Sequence, residues 1–314
     1  MAALVFPTRP LFSPHSRFQG IVYLAALVPG PSSFHNHHLF PEQPRVLTRH
    51  MPPKPPKIPR PRFTHFLCFP LRSSTFTNNA GIFGSSLLAA DPPISGMHSS
   101  IVVAPIRLHL TIGLMSLTGD PESGSGEQSS NTLPQRTISE AMQTFQGLRS
   151  VVDEITTDRA QGSLSVDFNA LSSFQTKLKD CQVLFAEPTS EADFLYKVAD
   201  AVASHFTAAG FEGDSRPLTL HCTLVNSSHR RDPSQPRARN RRIPFDASRI
   251  TPPVSTPISR AATSTESSLG ISPGTIQFQG LGSVPIDRIQ LCAMGSHDRE
   301  GAYQPLAEMK IWPS

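Results

Sequence analysis

Two matched alternating segments, one in each half of the chain, constrain its fold more than any other feature. In Ile106-Arg107-Leu108-His109-Leu110-Thr111-Ile112, the residues Arg107, His109 and Thr111 alternate with Ile106, Leu108, Leu110 and Ile112. In Leu218-Thr219-Leu220-His221-Cys222-Thr223-Leu224, the residues Thr219, His221 and Thr223 alternate with Leu218, Leu220, Cys222 and Leu224. A period of two with one apolar side is the pattern of a half-buried strand. The spacing predicts strands running on to Met115 and to Asn226, each with a His-x-Thr pair on its polar face.

That pairing carries chemistry. On a strand, residues two apart face the same way, about 6.6 Å from each other, so each segment presents an imidazole beside a hydroxyl. Imidazole, with an ordinary pKa of about 6.5, can serve as base in one copy and acid in the other near neutral pH. Threonine hydroxyls can donate to phosphoryl oxygens and steady charge developing there. The scheme requires no metal. Counting triplets is not enough to identify it, because His205-Phe206-Thr207 has the same form. That copy falls in a segment with helical spacing, where residues two apart differ by about 200° and point away from each other. A single copy in a strand would read as a half-buried sheet histidine hydrogen-bonded to a neighbour. Two copies in twin strands favour a site.

Elsewhere the composition sets limits. With 31 Pro and a hydrophobic share of 38% in 314 residues, the expected core spans only about 200 residues. Residues 1–61 show no sustained period and end in Pro52-Pro53-Lys54-Pro55-Pro56-Lys57-Ile58-Pro59-Arg60-Pro61, a polyproline lead-in. Three readings stay open for the first fifty: a poor signal peptide, an acid-poor mitochondrial presequence, or an extension ahead of a start at Met51. The apolar run Ile21 to Val28 is too short to span a bilayer, so no membrane partner is expected. The four cysteines, Cys68, Cys181, Cys222 and Cys292, lack Cys-x-x-Cys or zinc-ligand spacing. They read as buried reduced thiols, with neither metal nor cofactor implied, and suit the nucleus or cytoplasm. Net charge is +4, and Arg230, Arg231, Arg237, Arg239, Arg241 and Arg242 form a basic run. These arginines are candidate nucleic-acid contacts, or simply a solvated loop.

Further elements follow from pattern. Phe63 to Leu71 predicts a buried strand ending near Pro70, and Gly84 to Ala90 a short helix. A long helix starts near Pro134 with Ile138, Met142, Phe145, Leu148, Val152 and Ile155 on its core face. Leu164 to Phe168 and Cys181 to Ala186 read as a strand pair. Thr189 is the candidate N-cap of a helix carrying Phe194, Val198, Val202 and Phe206 and stopping at Gly210. Thr275 to Phe278, Ile286 to Met294 and Leu306 to Ile311 read as closing strands, and flexible insertions are expected at about 119–131 and 227–274. Irregular alternation of strands and helices argues an α+β domain over residues 62–312 with antiparallel sheets.

These residues together resemble the two-histidine (2H) phosphoesterase superfamily, and within it the branch holding the phosphoesterase-like domain of A-kinase anchor protein 7 and the C-terminal domain of activating signal cointegrator 1 complex subunit 1. The resemblance rests on Leu108-His109-Leu110-Thr111-Ile112-Gly113 and Leu220-His221-Cys222-Thr223-Leu224-Val225-Asn226. It extends to Thr64 through Leu71, Val183 through Pro188, Phe245 through Ser248 and Ile289 through Met294. It implies a bilobal LigT-like α+β fold, two antiparallel-sheet lobes with pseudo-two-fold symmetry about a central groove. It also implies His109 and His221 as the acid/base pair, Thr111 and Thr223 as phosphate binders, and RNA or a nucleotide as the ligand. The activity implied is hydrolysis at RNA ends, cyclic phosphates or 2',5'-linked oligonucleotides. A non-catalytic nucleotide- or RNA-binding subunit of a nuclear complex is the alternative. Neither a KH-type Gly-x-x-Gly loop before residue 62 nor an amphipathic kinase-anchoring helix is evident, so those two relatives' partner roles do not transfer directly.

Overall fold

In the computed structural model the alternation of the two motif segments becomes two neighbouring strands at the centre of one seven-stranded sheet. The structure describes residues 62–120, 136–157, 159, 163–211, 213, 216–230, 242–251 and 275–312. The expected N-terminal extension and most of the two expected insertions lie outside these residues.

Among the described residues, eleven strands and four helices follow in chain order. They are β1 (His65–Pro70), α1 (Ser74–Leu88), β2 (His109–Met115), α2 (Ile138–Gln146), α3 (Leu148–Thr156), β3 (Ser165–Asp167), β4 (Ala170–Ser173), β5 (Val183–Glu187), α4 (Ala192–Ala208), β6 (Cys222–Asn226), β7 (Ile250–Thr251), β8 (Ile276–Gln277), β9 (Ser283–Pro285), β10 (Arg288–His297) and β11 (Tyr303–Lys310). The main sheet has the order β11-β10-β1-β2-β6-β5-β4, and all its pairings are antiparallel. This is a bilobal α+β fold: β11-β10-β1-β2 form one lobe and β6-β5-β4 the other. The lobes meet where Leu110 of β2 pairs with Cys222 of β6.

The symmetry reaches single residues. In β2 the pairing with β1 shifts register just after Thr111, which faces Cys68, whereas Gly113 faces Leu67. In β6 the pairing with β5 shifts just after Thr223, which faces Phe185, whereas Val225 faces Leu184. A bulge in each lobe thus follows the motif by one residue, and such irregularities re-aim side chains next to sites. One face of the sheet carries the main core. Leu67, Phe69, Leu110, Ile112, Leu184 and Cys222 lie there, in one cluster with Phe76 and Phe83 of α1, Phe145 of α2 and Val198 and Val202 of α4.

Several elements differ from the sequence pattern. Pro105–Arg107 is a 3-10 turn, so β2 begins at His109 and Arg107 is not in the strand; Pro105 removes a backbone donor that a ladder would need. His221 likewise lies just ahead of β6. Helix α1 is longer than Gly84 to Ala90 because Phe76, Ala80, Phe83 and Leu87 are buried at helical spacing, and that packing outweighs the poor propensities of its Asn and Gly residues. The long helix is two: α2, opened by a Thr137–Glu140 capping box, and α3, separated by Gly147. Leu164 to Phe168 and Cys181 to Ala186 do not pair. Instead β3 pairs with β9, and β5 pairs with β4, a strand the pattern did not show. Helix α4 starts after Glu191, which is left-handed at φ 51°, not after Thr189. Gly210, at φ +84°, closes it as expected, in a conformation only glycine adopts without strain.

Candidate active site

His109 and Thr111 flank Leu110, and His221 and Thr223 flank Cys222. Both intervening residues are wholly buried in the core, so all four motif side chains take the opposite face of the sheet. Continuing the antiparallel register one residue each way from Leu110–Cys222 sets His109 across from Thr223 and Thr111 across from His221. The pairing of Leu110 with Cys222 thus sets the two motifs side by side at the seam of the lobes.

One device holds both rings. Nδ1 of His109 donates to the Arg107 carbonyl at 2.8 Å, and Nδ1 of His221 donates to the Thr219 carbonyl at 2.7 Å. A carbonyl can only accept, so each Nδ1 carries the proton and each neutral ring leaves Nε2 as its basic nitrogen. Aromatic neighbours pack against both rings. His109 lies 5.0 Å from Phe66 and 5.3 Å from Tyr303 between ring centroids, and His221 lies 5.0 Å from Phe185 and 5.1 Å from Phe174.

Burial lowers both imidazoles below their ordinary value, against the raising effect of each Nδ1–H bond. The charge of His221 lowers His109 further, which places the two rings within electrostatic reach. At His221, Arg216 also lowers the pKa and the carboxylate of Glu187 raises it. Burial pushes the thiol of Cys222 far up, so the central residue of the second motif is an inert core group.

The remaining candidates fare unequally. Arg230 donates from Nη1 to the Gly96 carbonyl at 2.8 Å, away from the histidines' hydrogen bonds. Arg242 is described and exposed, and Arg231, Arg237, Arg239 and Arg241 lie outside the described residues. His205, in the third triplet, sits on α4 with Nε2 on the Thr144 carbonyl at 3.1 Å, a helix-packing contact. Sequence reasoning missed Phe174, Phe185, Glu187, His297 and Tyr303. No local spacing links them to the motifs, because register and a hairpin over long separations bring them in. A shallow hollow along α1 (Ser74, Thr77, Asn78, Gly81, Ile82, Ser85) holds no titratable side chain and lies apart from this site.

Residues 63–311 match the family described as the AKAP7 2'5' RNA ligase-like domain. The chain belongs to that family, within the 2H phosphoesterase superfamily. An uncharacterized protein of Schizosaccharomyces pombe is 27% identical over 165 residues, a stretch covering 52% of this chain and 66% of that protein, so the chain spans just under two thirds of that relative. Solved structures are more distant. Escherichia coli LigT complexed with 3'-AMP has 12% identity and a TM-score of 0.41, covering 79% of this chain and 97% of that one. A Thermus thermophilus protein, TT0787, has 13% identity and a TM-score of 0.40, with coverage of 79% and 97%. Usb1 of Kluyveromyces marxianus has 12% identity and a TM-score of 0.34, with coverage of 81% and 100%. Among the described residues of this family member, no helix is long and apolar enough to cross a membrane.

Proposed function

We propose that this protein is a metal-independent phosphoesterase acting on RNA ends, cyclic phosphates or 2',5'-linked oligonucleotides in the nucleus or cytoplasm. The observation that carries the reading is the pair of imidazoles at the starts of two adjacent strands, each with Nδ1–H tied to a backbone carbonyl and Nε2 left for a ligand. In hydrolysis of a 2',3'-cyclic phosphate, a water oxygen attacks phosphorus and its proton passes to the neutral Nε2 of one ring. The bond from phosphorus to one ribose oxygen breaks, and that oxygen takes the Nε2 proton of the other ring, which must enter the step as an imidazolium protonated on both nitrogens. Thr111 and Thr223 donate to the non-bridging oxygens, whose charge grows in the transition state. Turnover of a nucleoside 2',3'-cyclic phosphate, a 2',5'-linked oligoadenylate and a 3'-tailed oligouridine with EDTA present is the test. Cleavage by the parent and its loss in the His109→Ala, His221→Ala double variant is the expected result; equal turnover by both, or dependence on added metal, overturns the proposal.

A second reading, a non-catalytic nucleotide- or RNA-binding subunit, is favoured by one observation. Burial lowers both rings, so in the absence of ligand neither is set to hold the acid's proton at neutral pH. Nucleotide binding without turnover across the panel, at any pH from 5 to 8, decides for it.

A further inference from the structure

The two imidazoles differ in what their aromatic neighbours leave open. Beside His109, Phe66 is 3% exposed, and Tyr303 packs on Phe66, His109 and His297 with centroids at 4.9, 5.3 and 4.9 Å, so both rings are engaged within the lobe. Beside His221, Phe185 is wholly buried, and Phe174 leans on it at 4.6 Å while remaining 44% exposed. Among the described residues the large hydrophobic side chains that stand exposed are Ile82, Leu88, Ile106, Phe174, Met294 and Leu306. Only Phe174 is aromatic, and its ring lies 5.1 Å from an imidazole whose Nε2 is left for a ligand. The residues that flank it hold it in place. Ser173 is fully buried, and its Oγ and the backbone N–H groups of Gln182 and Val183 all donate to Oε1 of Gln175, at 3.1, 2.9 and 3.2 Å. The turn after β4 is thereby pinned to the start of β5 on both sides of Phe174. A ring fixed in this way loses little conformational freedom when something packs on it.

We infer that Phe174 is a stacking platform for the nucleobase of the nucleotide whose phosphate lies between the two motifs. The assignment rests on the proposed phosphoesterase or nucleotide-binding reading and deepens it. In a nucleoside 2',3'-cyclic phosphate the base and the phosphate are one ribose apart, and Phe174 is likewise one side chain removed from the motif, packed against the His221 ring. The ligand thereby acquires a direction, with its base over the His221 lobe. A phenyl ring offers apolar area and a π-face but no hydrogen bond, so it attracts a flat ring without reading its edge. Every base has such a face, and the platform accepts any of them. The His109 lobe offers no counterpart, because its aromatic rings are already packed on one another.

The test compares the affinities of adenosine 3'-monophosphate, uridine 3'-monophosphate and methyl ribofuranoside 3-phosphate, which keeps the sugar and phosphate and lacks a base. All three are monoesters, so diester hydrolysis does not intervene, and calorimetry can use the full chain with both histidines intact. The two nucleotides are expected to bind about tenfold or more tightly than the base-free probe and to differ less from each other. Phe174→Ala should bring that ratio to about one, Phe174→Leu should keep a small part of it, and Phe174→Trp should keep or raise it. Reading a ratio within each variant cancels a general loss of folded protein or a disturbed His221. In Phe174→Trp the new indole should be quenched by the nucleotides and not by the base-free probe. The parent supplies the reference, since its single tryptophan, Trp312, packs on Phe194. Equal affinity for the three probes in the parent, a preference that survives Phe174→Ala, or an indole unmoved by a bound nucleotide overturns the platform and leaves the phosphate site standing. Binding of none of the probes sinks the nucleotide reading and the platform with it.

Discussion

His109 and His221 are held by one device and kept in different company. Each donates Nδ1–H to a carbonyl two residues back, and each lies beside two aromatic rings. Around His109 the polar neighbours are Arg107, His297 and Tyr303; around His221 the charges that reach it are Arg216 and Glu187. The fold thus duplicates the anchoring of the two imidazoles and leaves their polar surroundings unduplicated. If the rings are equivalent partners in proton transfer, removing either should cost about the same. His109→Ala and His221→Ala are each expected to lower kcat/KM by about 10²–10⁴, and the double variant by little more than the worse single one, because the two act as a unit. Thr111→Val and Thr223→Val should each cost about 10–100-fold, less than a preorganised oxyanion donor because a hydroxyl rotates. A hundredfold difference between the two histidine variants, under conditions where chemistry limits, would break the symmetry.

The motif strands were legible because their alternation has only one structural solution, and the same alternation overextended them. Nothing in Arg107 itself says that Pro105 turns the chain into a 3-10 turn before the strand begins. Strand β4 was not legible: Ala170-Leu171-Ser172-Ser173 has one large apolar residue, and its serines are buried only because tertiary structure satisfies them. Ser173 is fully buried, with its Oγ on Gln175 at 3.1 Å and on Cys181 at 3.2 Å. Missing β4 led to the wrong partner for β5. Helix α4 was read through the spacing of Val198, Val202 and Phe206 and through Gly210, whereas its start was not, because Glu191 adopts a left-handed conformation that no local rule assigns to a glutamate. The site follows the same division. Its four motif residues are local signals, while Tyr303 and Phe174 reach it only through the β10–β11 hairpin and the turn after β4.

The charge difference between the two rings can be sharpened by pH. Both are lowered from 6.5, mainly by burial. The base is available only above its lowered pKa, and the acid's proton is lost as pH rises through a pKa that is also lowered. The bell-shaped profile of kcat/KM, which reports the free enzyme, is therefore expected to peak on the acid side of 6.5 and to fall above it. Glu187 raises His221, but the larger effect of Arg216 lowers it, so these charges alone do not assign the two roles; with His221 taken as the acid, removing Glu187 acts on the alkaline limb. Glu187→Gln should move the alkaline limb to lower pH and leave the acid limb in place. Movement of the acid limb instead would reverse the two roles.

The smallest effect separates the aromatic supports. Phe66, beside His109, is 3% exposed and also packs against Tyr303 at 4.9 Å, whereas Phe174, beside His221, is 44% exposed and leans on Phe185 at 4.6 Å. Deleting a buried phenyl ring removes its transfer free energy and leaves a cavity, about 3–5 kcal/mol. Deleting a half-exposed one removes little more than an aromatic pair, about 1 kcal/mol. Urea unfolding should therefore place Phe66→Ala well below the parent and Phe174→Ala close to it, with unchanged slopes. Comparable losses would mean that Phe174 is as much a part of the core as Phe66. In that case the His221 ring would be clamped from both sides, and its exposed neighbour would not be a surface that the second lobe keeps open.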